Sequence, residues 1–542
     1  MALLSHWQDA RTELEAQGVT LPSAPSVQAV RNGAAPQWAH IGGGNLYRAL
    51  HAQIAQDLID LDELESGVTV LQVHDPFLVE HVLDPYRGST LQAVLRPDGT
   101  VQERVLDATS QAVAALPSHT EDWVRAKKLF CEPGLQMVTV TITEKAYGTR
   151  NPDGTLSAPC EADQKAGPLS PATPMGIVAA LLLERFLHGA MPVAMVSTDN
   201  FSHNGEVFRK AVIDVAEGWV QNGSAPHGFL SWLSSEERVS FPWTMVDRIV
   251  PGPSPEVAEM LAAQGWDDLK VIDRPGGAPV AGFVNCEEPW YLVVEDSFPN
   301  GRPALERAGV TLCSRDQAEK ADTMKVCACL NPLHTALAVY GCLLDYDRIW
   351  KETDDPDLVA LIERVGCDEG LPACPDPEVL EPKAFLEELL DVRLPNRGLP
   401  DAPQRIACDT SQKMPIRYGR TLAWHLSAGD AGELVGLPLV FAGWLRYLVG
   451  VDDAGAPFQP SPDPRLLELQ ARLAGLGLDG ASAEAIHRAV APILSDTSLF
   501  GCDLYEAGIG TTVERLLKDE LSGPGAVRAT LAKELKNEKE HS

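Results

Sequence analysis

The pattern of apolar and polar positions divides the chain into two parts. Up to about residue 303, short apolar runs rich in β-branched residues alternate with helical patterns, which predicts buried parallel strands joined by helices. From residue 304 onward only helical periodicity remains. We therefore predict an α/β domain over residues 1–303 and an all-helical domain over residues 304–542.

The same pattern predicts the individual elements. The acid- and proline-rich stretch 351–382 has no clear period and is interpreted as a surface connection. Strands are predicted at the start of 37–59, in 67–75, in a hairpin with an Asp-Gly turn at 90–106, in 136–148, just before Asp199, in 241–253 and in 283–303. Helices are predicted at 174–188, 304–350, 355–365, 379–392, 412–427, 431–450, 463–475, 482–495 and 510–537.

Composition narrows the class of partner. The 542 residues are too many for one core, and they carry a net charge of −32. Nucleic acids and anionic membranes both require a basic surface, so this charge argues against them. It favours a soluble protein that handles small molecules.

Targeting signals and cysteine usage point to the cytoplasm. Residues 1–18 predict a short amphipathic helix that lacks the basic start and apolar centre of a signal peptide, and no run of about 18 apolar residues is found in the sequence. The eleven cysteines are scattered and are interpreted as reduced thiols. The sequence leaves both a monomer and a dimer open.

A glycine turn (residues 42–44) follows the first predicted strand. Gly42, Gly43 and Gly44 precede a helical pattern that starts near Asn45 and Leu46. Glycines at such a place let a dinucleotide pyrophosphate approach the backbone at a helix N-terminus. Because the third glycine of the common fingerprint is missing, an ordinary structural turn is the alternative interpretation.

Other polar residues follow predicted strands and belong to the same edge of the sheet. Asp75, after the second strand, could bind the ribose hydroxyls and favour NAD over NADP; a helix cap or a surface acid is the alternative. Glu144 and Lys145 could bind the cofactor or only pin the cleft between the domains. The later strand brings Asp199, Asn200, His203 and Asn204 to this edge, with loop capping favoured for the last two.

The lysine segment (residues 325–334) combines an amine, an amide and an imidazole within apolar sequence. Asn331 is predicted to cap a helix whose first position is Pro332, which places His334 in the first turn. A core helix with a capping Asn and a satisfied His is the alternative. Lys325 favours a functional role, because burial lowers the pKa of an ammonium group and can make it a general base.

Seven motifs together resemble one family, the long-chain polyol-specific dehydrogenases, which include mannitol 2-dehydrogenase and the hexuronate reductases. They occur in the order that is typical of the family and are spread over most of the chain. The motifs are GGGNLYRA (42–49), TITEKAYG (141–148), STDNFSHNG (197–205), FPWTMVDRIVP (241–251), EPWYLVVEDSFPNGRP (288–303), KVCACLNPLHTALAVYG (325–341) and DTSQKMP (409–415).

The resemblance implies that residues 1–303 form a Rossmann-type, doubly wound NAD-binding domain and that residues 304–542 form an all-helical domain. It also implies a role for particular residues. Lys325 matches the catalytic lysine, Asn331 and His334 match the substrate-binding pair, and Asn200 matches a second asparagine. The other matches are Val246, Asp247 and Arg248 for the Val-Asp-Arg motif, Arg405 and Lys413 for the distal arginine and lysine, and Asp322 for an acid that is usually Glu. From the residues alone, Asp247 with Arg248 is also compatible with a structural ion pair, and Arg405 with a surface position.

The lysine segment departs from the family in its spacing. The family usually has four residues between its lysine and asparagine, whereas this chain has five, with Pro332 where glycine is common. One extra residue turns a continuous α-helix by about 100°. A break or bulge before Pro332, which cannot donate to the carbonyl of Ala328, would absorb it.

These residues suit the oxidation of a secondary alcohol with NAD. In this interpretation Lys325 is the base, Asn200 and Asn331 donate to the developing oxyanion, and Arg405 and Lys413 hold the far end of the substrate. No zinc pattern is recognised, and Cys327 with Cys329 is interpreted as part of the core. The predicted substrate is a linear sugar acid of the mannonate and fructuronate type; a plain polyol such as mannitol, or a catalytically silent nucleotide-binding protein, is the alternative.

Overall fold

The computed structural model describes residues 2–31, 35–478 and 480–536. The chain forms two compact units, one of Met1–Arg96 with Thr100–Glu319 and the other of Pro97–Gly99 with Lys320–Ser542. Residues 304–319, which the helical periodicity assigns to the second domain, thus lie in the first unit. They do so because the strand Thr311–Cys313 pairs with Tyr291–Glu295 there.

Among the described residues, the strands β1 to β12 all belong to the first unit. Most follow the predicted apolar runs. They are β1 (Trp38–Ile41), β2 (Val68–Gln72), β3 (Thr90–Leu95), β4 (Val101–Leu106), β5 (Thr109–Ala114), β6 (Met137–Val140), β7 (Val193–Ser197), β8 (Val239–Ser240), β9 (Thr244–Asp247), β10 (Phe283–Glu287), β11 (Tyr291–Glu295) and β12 (Thr311–Cys313).

The main sheet has the order β5-β2-β1-β6-β7-β8, and all its neighbouring strands are parallel. The chain therefore starts in the middle of the sheet and extends it first to one side and then to the other, as in a doubly wound dinucleotide-binding fold. Strands β1, β6 and β7 are fully buried. The predicted fold of the first part is confirmed.

Two smaller sheets complete the first unit. The predicted Asp-Gly hairpin forms β3 and β4, which join β10, and a second sheet has the order β12-β11-β9. The expectation that only helices follow residue 304 is wrong, because β12 adds a parallel edge strand. This strand has only three residues, all half-buried, so it leaves no alternating pattern in the sequence.

Helices are found in both units of the described chain. In the first unit they are Leu4–Ala10, Arg11–Ala16, Ala24–Arg31, Tyr47–His51, Ala52–Asp60, Val79–Leu83, Thr120–Cys131, Glu144–Tyr147, Ala158–Ala166, Pro174–Leu187, Asn204–Gln221, Gly228–Ser234, Pro255–Ala263 and Leu305–Ala308. The helix Arg315–Met324 crosses into the second unit. The second unit then contains Lys325–Cys329, Asn331–Leu343, Ile349–Glu352, Pro356–Glu363, Arg364–Gly370, Leu371–Ala373, Pro382–Glu388, Leu389–Arg393, Pro403–Ile406, Thr410–Ala428, Ala431–Glu433, Gly436–Leu448, Leu466–Leu473, Ala483–Leu494, Thr497–Phe500, Gly510–Glu520 and Ala526–Lys536.

The stretch 351–382 is not the surface connection that its composition predicts. It contains helical segments, among them Pro356–Glu363 and Arg364–Gly370. The buried carboxylate of Glu369 accepts hydrogen bonds of 2.7–2.8 Å from the backbone N–H groups of residues 435–437, at the start of Gly436–Leu448. An acid of this stretch therefore caps a core helix, a role that its sequence neighbours do not reveal.

One helical run, Arg315–Leu343, is long and apolar enough to cross a bilayer by composition. However, 83% of its most apolar window is buried inside the protein, as is typical of a core helix. This run also carries the lysine segment.

Candidate functional site

The glycine turn leaves the carboxyl end of β1, at the sheet edge where open α/β folds bind ligands. Gly42 has φ +101°, and a Cβ atom at this position would lie 2.1 Å from the carbonyl oxygen of Thr141. Only glycine allows the loops after β1 and β6 to approach this closely. Gly42 therefore holds the edge together.

Gly43 and Gly44 differ in what surrounds them. A Cβ atom on Gly43 would lie 2.9 Å from the side chain of Leu83, whereas one on Gly44 would meet nothing within 4 Å. The helix begins directly afterwards at Asn45, so its first N–H groups are available beside open space. Such a helix start fits a pyrophosphate.

Buried arginines fix this helix to the rest of the first unit. Arg48 donates to the carbonyl oxygen of Ala281 and to Asn45 Oδ1. Arg248 donates at 2.6 Å to the carbonyl oxygen of Ala49 and at 2.9 Å to that of Glu287. Arg248 also donates to Oε1 of Gln53 at 2.8 Å, and these bonds together give it a structural role in holding the helix.

Asp75 stands at the carboxyl end of β2 and has two partners. Its Oδ1 atom accepts a hydrogen bond of 2.9 Å from the backbone N–H of Phe77, as the capping alternative predicts. Its Oδ2 atom forms an ion pair with Arg274, far away in the sequence. Both side chains remain partly exposed, so a positive group lies beside the predicted ribose-binding acid.

The loops after β6 and β7 are tied together by Asp199. Its carboxylate accepts hydrogen bonds from the backbone N–H groups of Ile142 and Thr143, each at 2.9 Å, and from the hydroxyl of Tyr147 at 2.7 Å. Asn200, next in the chain, is exposed at this edge. The structure therefore places Asn200 at the edge where the glycine turn and Asp75 also lie.

The remaining predicted residues of the first unit have different settings. Glu144 and Lys145 are exposed on a short helical turn that follows β6, and Leu46 is half-buried in the first helix turn. Asp247 is buried at the end of β9. Asn204 donates to the carbonyl oxygens of Asp199 and Thr244, which confirms its loop-capping role.

In the second unit, the lysine segment begins with a π-helical turn, Lys325–Cys329. The backbone N–H of Leu330 donates to the carbonyl oxygen of Lys325 at 3.1 Å, so this turn holds one residue more than an α-turn. The helix then continues as Asn331–Leu343. The predicted bulge before Pro332 is confirmed, and it compensates for the extra residue.

Lys325 is buried, with a side chain that is only 1% exposed. Its Nζ atom lies 3.6 Å from Oδ1 of Asp322, one helical turn earlier. The carboxylate is itself almost buried, with 9% exposure. The buried amine of Lys325 thus has a carboxylate one helical turn away, within the distance of an ion pair.

Asn331 does not act as the predicted helix cap. Because the helix is continuous through the π turn, Leu330 has helical dihedral angles, and no cap hydrogen bond from a side chain forms here within the described residues. The carbonyl oxygen of Asn331 accepts from Thr335 Oγ1 at 3.0 Å and from Arg417 at 3.4 Å. Arg417 also donates to Thr335 Oγ1 and so braces this turn.

His334, one turn later, faces a carboxylate and several cations. Its Nε2 atom lies 3.5 Å from Oδ2 of Asp401, whose other oxygen accepts from Arg405. Burial lowers the pKa of His334 to about 4; Asp401 opposes this shift, whereas Arg417, Arg405 and Arg393 add to it. His334 is therefore neutral at pH 7.

Lys413 belongs to the same cation cluster (Arg393, Arg405, Lys413 and Arg417). Burial lowers its pKa to about 8, and the positive charge of Arg417 contributes to the shift. Its Nζ atom donates to the carbonyl oxygen of Ile406 at 3.0 Å. Three arginines act on the neutral imidazole of His334, and Lys413 lies near two of them. In a chain of net charge −32, this local group of positive charges favours the binding of an anion.

The sequence pattern does not reveal three residues of these two sites: Arg274, Asp401 and Arg417. Arg417 lies four positions after Lys413, one helical turn away on Thr410–Ala428, so its spacing was an available signal. Asp401 lies four residues before Arg405 and forms an ion pair with it, so its spacing was also an available signal. Arg274 has no such signal, because its partner is 199 residues away.

All eleven cysteines are free thiols. Cys329 is buried, as expected of a core residue, whereas Cys327 is half-buried and its thiol contacts the carbonyl oxygen of Ile416 at 3.2 Å. Burial raises the pKa of Cys327 to about 11. This thiol is therefore protonated at neutral pH.

Comparison with known proteins gives matches over both units. Residues 37–307 match the family model of the mannitol dehydrogenase Rossmann domain, and residues 319–516 match that of the mannitol dehydrogenase C-terminal domain. The chain is 45% identical over 500 residues to D-mannonate oxidoreductase of Thermotoga maritima, which covers 92% of each protein.

Two further proteins are similar. D-mannonate oxidoreductase of Escherichia coli is 29% identical over 437 residues, which are 80% of this chain and 83% of that protein. A solved structure of Pseudomonas fluorescens mannitol 2-dehydrogenase, a ternary complex with NAD and D-mannitol, matches with a TM-score of 0.71 and 25% identity over 97% of each chain.

Proposed function

Because the chain belongs to the mannitol dehydrogenase family of oxidoreductases, we propose that it interconverts a secondary alcohol and a ketone on a linear sugar acid. The pair D-mannonate and D-fructuronate is the proposed type of substrate. The observation that carries this proposal is the cation cluster around His334. A carboxylate is the group of a sugar acid that such a cluster would bind and that a plain polyol lacks.

The roles of the side chains follow from the chemistry of alcohol oxidation. Lys325 accepts the proton of the hydroxyl that is oxidised and returns it in the reverse direction. The amides of Asn331 and Asn200 donate hydrogen bonds to the oxygen as its charge develops. His334, neutral at pH 7, can bind a neighbouring substrate hydroxyl as donor or acceptor.

Asp322 and Asp401 support these groups. Asp322, 3.6 Å from the ammonium group of Lys325, stabilises that group after it has taken up the proton. The Oδ2 atom of Asp401 is buried and has no hydrogen-bond partner among the described residues. It therefore offers an acceptor beside His334 for a substrate hydroxyl.

The first unit fits a nicotinamide dinucleotide. The open space at Gly44 and the helix start at Asn45 would hold the pyrophosphate, and Asp75 the ribose hydroxyls. When bound, the cofactor supplies the hydride acceptor or donor. Leu46, Glu144, Lys145 and Asp247 are proposed to complete its binding site.

We propose that NAD is preferred over NADP, through Asp75. The sequence has no arginine next to Asp75, but the structure brings Arg274 to it. In the wild type the carboxylate both repels a 2′-phosphate and neutralises Arg274. In Asp75→Ser the arginine is released, so kcat/KM with NADPH should rise at least about tenfold relative to NADH.

A double variant tests this explanation of cofactor choice. Asp75→Ser/Arg274→Ala should lose the gain with NADPH, because no cation is left for the phosphate. Comparable turnover of the wild-type protein with NADH and NADPH at equal concentrations would contradict the proposed role of Asp75.

A substrate panel tests the proposed reaction. NADH oxidation should be measured with fructuronate, tagaturonate, fructose and related ketoses. We expect kcat/KM for a ketouronate to exceed that for fructose by a factor of about 10² or more, given one charge-assisted carboxylate site. A preference for fructose would favour the polyol alternative, and NADH binding without turnover of any ketose would favour the silent protein.

Arg417→Met separates the carboxylate site from the chemistry. If the cluster binds the carboxylate, this variant should raise KM for the ketouronate by a factor of about 10 or more and change kcat less. Arg397→Met, which removes an exposed arginine of the same unit, is the matched control. An unchanged KM would remove Arg417 from the proposed site.

A further inference from the structure

Three potential metal ligands come together in the first unit, outside the residues discussed so far. They are the thiol of Cys131, the carboxylate of Glu184 and the imidazole of His188, and their ligand atoms lie within 4.8 Å of one another. Glu184 and His188 are four residues apart, on the last turn of the helix Pro174–Leu187 and its C-terminal cap. Cys131 is the last residue of the helix Thr120–Cys131.

A buried arginine fixes the backbone on both sides of this trio. Arg185, which follows Glu184, is only 1% exposed. Its guanidinium group binds carbonyl oxygens on both sides of Cys131 and in the segment after His188. These are the carbonyl oxygens of Phe130, Glu132, Leu135, Met191 and Pro192, at 2.7–3.0 Å. Three of these bonds, to Phe130, Glu132 and Leu135, join the end of the helix Thr120–Cys131 to the helix of Glu184, and the other two fix the segment after His188.

The carboxylate of Glu184 already attracts a cation. Its Oε2 atom lies 2.9 Å from Nζ of Lys127, and its Oε1 atom lies 3.4 Å from Nδ1 of His188. One oxygen can therefore stay with the lysine while the other binds a metal ion. The Nδ1 atom of His188 also contacts the carbonyl oxygen of Glu184 at 2.9 Å. This contact helps to fix the orientation of the imidazole ring beside the carboxylate.

We propose that Cys131, Glu184 and His188 form a binding site for a divalent transition-metal ion, and that zinc is the ion that fits best. One thiolate, one imidazole and one carboxylate are all ligands that Zn²⁺ accepts, and a water molecule can take the fourth position. Tetrahedral zinc with such ligands places them roughly 3.3–3.8 Å apart. The trio has to close by about 1 Å, which the exposed side chain of His188 can supply by rotation.

The topology of the sheet separates this site from the cofactor edge. Cys131 lies in the connection that enters the amino end of β6, and His188 lies in the one that enters β7. The glycine turn and Asp199 follow the carboxyl ends of their strands. Because these strands are parallel, the trio is at the opposite edge. A metal ion there stabilises two helix ends and takes no part in the oxidation.

The sequence alone cannot show this site. Cys131 and Glu184 are separated by three secondary-structure elements, β6 among them, so no motif spacing connects them. The thiol is also protonated without a metal, because burial and the charge of Glu184 raise the pKa of Cys131. Zinc must displace that proton, as it does at thiol sites generally.

The experiment uses the full-length protein after chelation and dialysis. Zn²⁺ is titrated in competition with a chromogenic chelator, and Co²⁺ serves as an optical probe for thiolate ligation. We expect one equivalent of zinc to bind through this site, a thiolate-to-cobalt charge-transfer band, and a higher Tm with zinc. Both the equivalent and the band should be lost in Cys131→Ser and in His188→Ala, with turnover unchanged.

Two further variants test whether zinc binds at Cys131, Glu184 and His188 and not at another thiol. Cys367→Ser removes an exposed thiol of the second unit and should leave zinc binding intact. Lys127→Ala removes the competing cation and should lower the Kd for zinc several-fold. Zinc binding that survives in Cys131→Ser, or a protein that takes up no zinc at micromolar concentration, would overturn the proposal.

Discussion

The glycine turn of the first unit and the lysine segment of the second unit use different chemical groups: the first uses the backbone and the second uses side chains. The glycine turn presents backbone N–H groups, so it depends on the space that is left open at Gly44 and on close packing at Gly42. The lysine segment presents side chains, so it depends on the helical phase between Lys325 and Asn331, which the π turn sets. In the glycine turn, a substitution acts through the volume of the added side chain. In the lysine segment, an inserted residue acts through the angle by which it rotates Lys325 about the helix axis relative to Asn331.

A large effect on the rate, second only to that expected for Lys325, is predicted for Asn331. Asn331→Ala removes one donor to the developing oxyanion and should cost about 3 kcal/mol of transition-state stabilisation, or roughly 10²-fold in kcat. NADH affinity should not change, because the cofactor is proposed to bind the first unit. Steady-state kinetics together with fluorescence titration of NADH measures both. A loss of NADH binding in Asn331→Ala would contradict the proposal that the first unit alone binds the cofactor.

Two glycine variants distinguish the open space for the cofactor at Gly44 from the close backbone packing at Gly42. Gly44→Val should weaken NADH binding by a factor of about 10 or more, since the new side chain occupies the open space of the pyrophosphate. Its Tm should stay near that of the wild type, because nothing lies within 4 Å of the added Cβ atom. Gly42→Ala should instead lower the Tm, because its Cβ atom would collide with the carbonyl oxygen of Thr141. Equal losses of Tm would contradict this difference.

The pH dependence of KM tests the cation cluster. The pKa of Lys413 is lowered to about 8, so this side chain is charged below pH 8 and loses its charge as the pH rises through 8. KM for a sugar acid should therefore rise several-fold between pH 7 and 9. In Lys413→Arg the rise should be much smaller, because an arginine stays charged over this range. The same rise in both proteins would assign it to another group.

The smallest expected effect is that of a chelator on turnover. Lys325 and the two asparagines need no metal ion, so prolonged EDTA treatment should leave kcat unchanged. Removal of zinc from the trio Cys131, Glu184 and His188 should lower only the Tm. A loss of activity that zinc restores would contradict the lysine mechanism and assign the protein to a different class of dehydrogenase.

The comparison of the two regions also explains what the sequence could predict. Strands such as β2 and β7 are buried on both faces, so they read as continuous apolar runs, and the order of strands and helices follows from them. The bulge before Pro332 could be predicted because the proline is a local feature and the spacing from Lys325 to Asn331 is one residue longer than is usual in the family. By contrast, the expected cap by Asn331 is wrong, since the π turn lets the helix continue where a new helix start was expected.

Contacts between residues that are distant in the sequence could not be predicted. Arg274 beside Asp75, and Arg417 beside Asn331, arise only when the chain is folded. The prediction of a surface connection at 351–382 was wrong for the same reason, because Glu369 binds a helix start that lies more than 60 residues later in the sequence. Acids and prolines are read as surface when their buried partners are not adjacent in sequence.

Hydride transfer in Lys325→Ala tests the central claim most directly, because here the family resemblance and the unusual spacing meet. NADH oxidation by a ketouronate should be followed by stopped flow in the wild type, in Lys325→Ala and in Lys383→Ala, which removes an exposed lysine of the same unit. If the π turn keeps Lys325 in the site, its loss should slow the reaction by a factor of about 10² to 10⁴. The NADH affinity of Lys325→Ala, and the rate in Lys383→Ala, should remain close to the wild-type values. A rate in Lys325→Ala that is close to wild type would show that the extra residue has moved this lysine out of the site, and Lys413 and His334 would then be the next candidates for the base.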